Sequence, residues 1–182
     1  HGTHLLLGQY EGENMRETAR LSPHDADAYN QNNHDIAEVC QAIKPLLDEM
    51  PPDPFSDDPE EAARLAALAA HMRSLDKRVF HNAIRLLTGS AADFLDHYFE
   101  NELLKGYLAS SGTIGSKVGP RSQGSGLVLL YHVIGETDGS FGAWAFHKGG
   151  NGGFTQVLAR AAESFGAEIR LDSPVASVII DG

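Results

Sequence analysis

The sequence has little cysteine, little positive charge and no long apolar run, and each shortage excludes a class of protein. With Cys40 as its single cysteine, the chain cannot form an internal disulfide. Lys and Arg number 14 against 25 Asp and Glu, a net charge of −11. This charge argues against nucleic acid and anionic membrane surfaces as partners, because both require a cationic face. The longest apolar run, residues 126–135, is too short to span a bilayer.

Several signatures of catalysis and cofactor binding are also missing. The sequence has no GxGxxG after a strand, no GxxxxGK[ST], no HExxH and no CxxC. What remains is the composition of an ordinary globular protein, 42% hydrophobic and 21% charged over 182 residues. That length suits about one domain with a real core.

Residues 22–111 carry the start and stop signals of four or five helices. Ser22 and Asp58 can each cap a helix whose first residue is a proline. Ser90 can cap another helix, directly after Gly89 stops the one before it. Apolar residues recur at helical spacing between these signals, as at Ile36, Val39, Cys40, Ile43, Leu46 and Leu47. We therefore expect a helical layer in which Cys40 is a small buried apolar residue.

The flanks of this layer contain glycine and candidate strands. Residues 1–21 have the pattern of a β-hairpin-like opening segment. Residues 112–148 are Gly-rich and include an apolar run compatible with either a buried helix or a strand. Residues 149–182 predict a glycine turn, a helix and two strands, at 167–171 and 174–181. The predicted fold class is α+β, mainly α-helical.

Two patterns contain residue types found in catalytic or metal sites, but each lacks the further residues that such a site requires. Asp93 and His97 lie at i and i+4, where they could chelate a metal, but a second His or Cys at helical spacing is missing nearby. We interpret them as a cap and a solvated surface, and predict no metal site. Ser125, in Gly124–Gly126, does not fit the G-x-S-x-G nucleophile elbow and more simply serves a turn or a helix start.

The segment "KGGNGGFTQVLARAAESFG" holds the densest glycine of the chain, immediately before a helix. A glycine turn at a helix N-terminus brings together open backbone N–H groups and the positive end of the helix dipole. From physical chemistry alone, these glycines either approach a ligand or let the helix pack closely on its neighbours, and both interpretations stay open.

A run of motifs over residues 86–182 resembles the flavoprotein oxidoreductases of the phytoene desaturase and amine oxidase superfamily. The similarity is to their phytoene dehydrogenase-related members, the subgroup of pyridine nucleotide-disulfide oxidoreductase domain-containing proteins. The matching stretches are Phe99-Glu100-Asn101, Leu104-Lys105, Gly112–Gly115, Gly119-Pro120, Leu129–His132, Gly142–Trp144 and Gly149–Gly152. Tyr131 and Asn151 depart from the pattern, which has His and Met at those places.

The resemblance implies FAD as cofactor and assigns roles to particular residues. Val175, the residue after Pro174, would pair with the adenine through its backbone N–H and C=O. Four glycines would shape the chain where it re-enters the flavin region: Gly149, Gly150, Gly152 and Gly153. Four further residues would line the substrate cavity: Arg121, Tyr131, His132 and Trp144. It names no catalytic acid or base, because the flavin itself would accept the hydride.

The resemblance also implies that the chain is the middle of a longer flavoprotein and is inactive alone. The 22–111 layer would then be a substrate domain, and residues 149–182 would return to an FAD domain completed elsewhere. The expected partners are that missing FAD domain, a small apolar substrate and a second copy of the chain. The expected compartment is the bacterial cytoplasm or the mitochondrial matrix. The alternative is a non-enzymatic protein-interaction module of the same ancestry.

Overall fold

The computed structural model describes residues 4–8, 10–137, 139–142, 144 and 146–180. It divides into two compact units, His1–Ala143, the first unit, and Trp144–Gly182, the second unit. The helices of the first unit are α1 (Glu11–Ala19), α2 (Pro23–Leu47), α3 (Pro59–Ser74), α4 (Lys77–Thr88), α5 (Ala91–Leu95), α6 (Glu102–Ser110) and α7 (Ser125–Val133). Its two short strands, β1 (Glu136–Thr137) and β2 (Ser140–Phe141), pair antiparallel. The second unit contains α8 (Gly150–Ser164). The mainly helical fold class is confirmed.

The helix starts follow the signals in the sequence. The Ser22 hydroxyl accepts the backbone N–H of Asp25, and the Asp58 carboxylate accepts that of Glu60, each ahead of a proline at the first turn. Ser90 caps α5 by accepting the Asp93 N–H, and Gly89 ends α4. Pro45 lies inside the last turn of α2 and ends it only two residues later. Local capping chemistry therefore sets most of the boundaries.

The core of the first unit lies among α2, α4, α5, α6 and α7. Its fully buried side chains include Val39, Cys40, Leu86, Phe94 and Leu104. The apolar run of ambiguous pattern is the helix α7, which buries Leu129 and Leu130. At the crossing of α4 and α7, a Cβ added to Gly126 would lie 2.7 Å from the backbone oxygen of Leu86. This glycine lets the two helices approach closely.

Two local predictions were wrong. Residues 11–19 form helix α1 instead of the return segment of a hairpin. The Asn14 side chain exchanges two hydrogen bonds with the backbone of Gly8, at 2.7 and 3.0 Å, and so holds the preceding segment against the helix. Residues 167–180 contain no strand. A strand needs a neighbour for its backbone hydrogen bonds, and the described part of the second unit pairs none with it.

The first unit includes residues on both sides of the segment boundaries predicted at residues 21 and 111. The first unit ends at Ala143, within the predicted segment 112–148. No helix among the described residues combines the length and the apolar character needed to cross a bilayer.

Candidate functional site

The first turn of α2 holds the junction between α5 and α6. Asp25 is completely buried, and its two carboxylate oxygens accept the backbone N–H groups of Glu100 and Asn101, each at 2.9 Å. Asn101 in turn caps α6 by accepting the N–H groups of Leu103 and Leu104. The Phe99-Glu100-Asn101 motif is therefore fixed by a carboxylate 75 residues earlier in the chain.

Electrostatics favour the ionised form of this carboxylate. Burial opposes ionisation of Asp25, but hydrogen bonds from the Glu100 and Asn101 backbone, and then from His24, outweigh it and lower its pKa. The hydrogen bond to Asp25, 3.1 Å from Nδ1 to Oδ1, raises the pKa of His24. His24 and Asp25 thus form a charge-assisted hydrogen bond in the first turn of α2.

A polar cleft of about 620 Å³ lies beside this junction, and we call it the α2/α4 cleft. Its centre is the buried Asp35, which accepts hydrogen bonds from Gln31 at 2.7 Å, from the Tyr98 hydroxyl at 2.6 Å and from Arg78. Arg78 also binds Glu38, at 2.5 Å. The rim carries the imidazoles of His24, His34 and His97.

This arrangement suits binding better than proton transfer. Three donors already occupy the Asp35 carboxylate, so it orients Tyr98 and Arg78 instead of serving as a general base. Burial raises the pKa of Tyr98, which keeps its phenol a neutral donor. The cleft therefore offers a fixed polar floor and a rim of imidazoles.

His24, Asp25 and Glu100 form the one group among the described residues whose ligand atoms could hold a metal ion, with those atoms all within 4.8 Å of one another. The Asp25 oxygens already accept backbone N–H groups, and the Ser22 hydroxyl donates to Glu100 at 2.7 Å. We interpret the group as structural, since its carboxylates already have hydrogen-bond partners.

Three predicted cavity residues lie in the first unit and are not among the residues that line the α2/α4 cleft. Arg121 lies in the loop before α7, with its Nη1 3.4 Å from Oδ2 of Asp96. Tyr131 and His132 are neighbours on α7, with ring centroids 5.3 Å apart. Tyr131 is 73% exposed, and Nδ1 of His132 lies 2.8 Å from the Val128 carbonyl oxygen. Tyr131 and His132 therefore lie side by side, whereas Arg121 pairs with Asp96.

Trp144 and the four glycines belong to the second unit, where Trp144 is 66% exposed. Gly149 and Gly150 have φ of 91° and 63°, a left-handed turn that other residues adopt with strain. A Cβ on Gly153 would lie 2.4 Å from the Lys148 oxygen, whereas Gly152 faces open space. The glycines thus divide between close packing at Gly153 and an open backbone at Gly150 and Gly152.

Val175 lies in a segment of the second unit without helix or strand and is 80% exposed. The described residues of that unit include none that is buried. Among the exposed side chains are Phe154, Val157, Leu158, Phe165, Ile169, Leu171, Val178, Ile179 and Ile180. The segment around Val175 is therefore accessible to a binding partner.

Sequence reasoning missed Asp25 and Asp35 as organising residues. The sequence pattern suggests for Asp25 only a favourable charge at a helix start. It lies on the same 3–4 residue stripe of α2 as the buried Tyr29, Ile36 and Val39. A carboxylate on an apolar stripe is a signal for a buried hydrogen-bond network. The distant partners of Asp25 and Asp35, 43 to 76 residues away, leave no local signal.

Comparison with curated proteins found relatives covering almost the whole chain. The chain is 34% identical, over 184 aligned residues, to pyridine nucleotide-disulfide oxidoreductase domain-containing protein 2 of the rat, and equally to that of the mouse. The chain is similar to a part of these proteins. The alignment includes 97% of this chain and 32% of each relative, so the chain spans about a third of their length.

The name of these relatives agrees with the subgroup indicated by the motifs between Phe99 and Gly152. No family model matches the chain, and no solved structure matches it.

Proposed function

We propose that this chain is part of an FAD-dependent oxidoreductase related to phytoene dehydrogenases, which transfers a hydride from a small apolar substrate to the flavin. The observation that carries this proposal is the 34% identity, over 97% of the chain, to proteins named for a pyridine nucleotide-disulfide oxidoreductase domain. The motifs of residues 86–182 support the finer assignment to the phytoene dehydrogenase-related flavoproteins.

The glycine turn before α8 fits one side of a flavin site. Gly149 and Gly150 turn the backbone into the N-terminus of α8, and a Cβ on Gly150 or Gly152 would meet nothing within 4 Å. The first N–H groups of a helix lack intrahelical acceptors and carry the positive end of its dipole. This open backbone is chemically suited to the carbonyl or phosphate oxygens of FAD.

The adenine would be held by the backbone of Val175. Its peptide lies in an exposed segment without strand partners among the described residues, so an N–H and a C=O are open for pairing. The chain has no GxGxxG turn for the pyrophosphate. We therefore expect the 182 residues alone to bind FAD weakly or not at all.

When bound, the flavin supplies the redox chemistry by accepting a hydride. This chain would contribute orientation of the substrate and exclusion of water, with Tyr131 and His132 of the first unit as candidate cavity residues.

The test is the flavin content of a polypeptide of the length of the mammalian relatives, encoded by the parent gene. We expect near-stoichiometric FAD by absorbance in that protein, and little in the 182-residue chain. A colourless full-length protein that takes up no FAD would overturn the proposal.

A second measurement tests the adenine contact. Val175→Pro removes the backbone N–H and should lower FAD retention in the full-length protein. Val175→Ala keeps that N–H and should retain FAD as the parent does. Equal retention in both variants would contradict the role of Val175 while leaving the cofactor itself in place.

A further inference from the structure

We propose that a groove along α4 binds a small amphipathic anion, a carboxylate or phosphate carried on an apolar chain. The α4 groove is formed by Arg78, His81, Arg85 and His97 around the side chains of Phe80 and Ile84. It lies wholly in the first unit and does not depend on the function proposed above.

The spacing on α4 creates this surface. Arg78, His81 and Arg85 lie at i, i+3 and i+7, so they share one face of the helix. Phe80 and Ile84, at i and i+4, form an apolar strip beside them. The opposite face of α4 buries Val79, Ala83 and Leu86 in the core, which fixes the orientation of the groove. Its volume of about 650 Å³ is that of a small-molecule site.

The charge of the groove is unusual for this chain. No carboxylate is among its described lining residues, although the whole chain carries −11. Arg78 is neutralised by Asp35 and Glu38 of α2. The Arg85 guanidinium has no carboxylate partner among the described ion pairs. Arg85 is thus an available cation with further N–H donors on Arg78 and Asn82 beside it.

The same charge balance selects a small ligand. At physiological ionic strength, charges interact over about 8 Å, so a small anion in the groove experiences mainly the charge of Arg85. An extended polyanion or an anionic membrane would also face the acidic remainder of the chain. Ile84, 42% exposed, and the half-buried Phe80 offer apolar contact to a carbon chain beyond the charged group.

The test titrates the 182-residue chain, without flavin, with octanoate, octyl phosphate, octanol and inorganic phosphate, following backbone amide signals by NMR. We expect saturable shifts centred on α4 for both amphipathic anions. Octanol, which lacks the charge, and inorganic phosphate, which lacks the chain, should each bind at least tenfold more weakly. Shifts distributed over the whole chain, or equal affinity for octanol and octanoate, would overturn the proposal. Inorganic phosphate binding as tightly as octyl phosphate would contradict the proposed contact between the apolar chain of the ligand and the groove.

Substitutions locate the site. Arg85→Gln should weaken octanoate binding at least tenfold, and Arg160→Gln, which alters an exposed arginine of α8, should leave it unchanged. Ile84→Ser should weaken octyl phosphate more than inorganic phosphate. Arg85 and Ile84 are exposed, so both variants should keep the circular dichroism of the parent. Undiminished octanoate affinity in a folded Arg85→Gln protein would contradict the proposed contact.

Discussion

Helices α4 and α8 both carry an apolar stripe, but they occupy opposite environments. In α4 the stripe of Val79, Ala83 and Leu86 is buried against the other helices of the first unit. In α8 the corresponding residues Phe154 and Leu158 are about half exposed, and the helix buries none of its residues. An apolar stripe therefore stabilises a helix only where a neighbouring surface buries it.

The difference extends from the helices to the two units. The first unit has a continuous core and buried hydrogen-bond networks at Asp25 and Asp35. The second unit presents a row of large apolar side chains from Phe154 to Ile180. Apolar surface of that extent commonly marks an interface. We propose that the FAD-binding part of a longer protein covers it, which assigns folding stability to the first unit and assembly to the second.

The strongest test of this division compares a buried leucine with an exposed one. Leu86→Ala should lower the free energy of unfolding by roughly 3 to 5 kcal/mol, because it leaves a cavity in the core. Leu171→Ala, at an exposed position of the second unit, should change it by less than about 0.5 kcal/mol. Urea unfolding followed by circular dichroism measures both. Similar losses of unfolding free energy in the two variants would contradict the assignment of folding stability to the first unit.

The next test concerns the helix crossing at Gly126. Gly126→Ala should cost about 2 to 3 kcal/mol, since the new Cβ would meet the Leu86 carbonyl oxygen at 2.7 Å and the backbone must move. Gly106→Ala, inside α6 with open space around it, should be neutral or stabilise by about 0.5 to 1 kcal/mol. A urea midpoint of Gly126→Ala at or above that of the parent would contradict the close crossing of α4 and α7.

The sequence predicts local structure well where a side chain acts on its own helix. Ser22, Asp58 and Ser90 each cap the helix that they precede, as the capping rules require. The helical class follows from such signals and from the apolar period. The two local errors, the hairpin over 1–21 and the strands after residue 166, concern segments whose conformation depends on a neighbouring surface. Propensity alone does not supply that neighbour.

The candidate site was harder to predict for the same reason. Asp35, Arg78 and Tyr98 meet across separations of 43 and 63 residues, with no motif linking them. The residues that the resemblance identified, such as Val175 and the glycines of residues 149–153, are recognisable because they form a contiguous pattern. Family resemblance therefore suggests candidate residues in the second unit, whereas the clefts of the first unit become visible only in the structure.

A charge test distinguishes hydrogen bonding from packing in the first unit. Asp25→Asn should cost about 1 to 2 kcal/mol at neutral pH, since an amide oxygen replaces an ionised acceptor of two N–H groups. The pKa of Asp25 is lowered, so its contribution is complete above the ordinary value of 3.8 and is lost as pH falls through the folded pKa. The stability difference between variant and parent should therefore shrink in acid.

His24 is the control for that pH profile. Its pKa is raised, so its contribution is complete below 6.5 and is lost as pH rises through the folded pKa. His24→Gln should therefore remove the fall in stability that begins near pH 6.5 as pH rises. The slope of the stability profile in acid should stay as in the parent. If the free energy of unfolding of Asp25→Asn falls in acid as steeply as that of the parent, the role given to the Asp25 carboxylate is contradicted.

The smallest expected effect concerns the buried thiol. Burial raises the pKa of Cys40 to about 11, so an aromatic disulfide reagent should label it only when the first unit opens. Leu86→Ala should accelerate labelling, because it makes that opening more frequent. Leu158→Ala in α8 should leave the labelling rate within twofold of the parent, which tests whether the second unit contributes to the stability of the first. Faster labelling in Leu158→Ala would show that the two units open together, and stability could then no longer be assigned to the first unit alone.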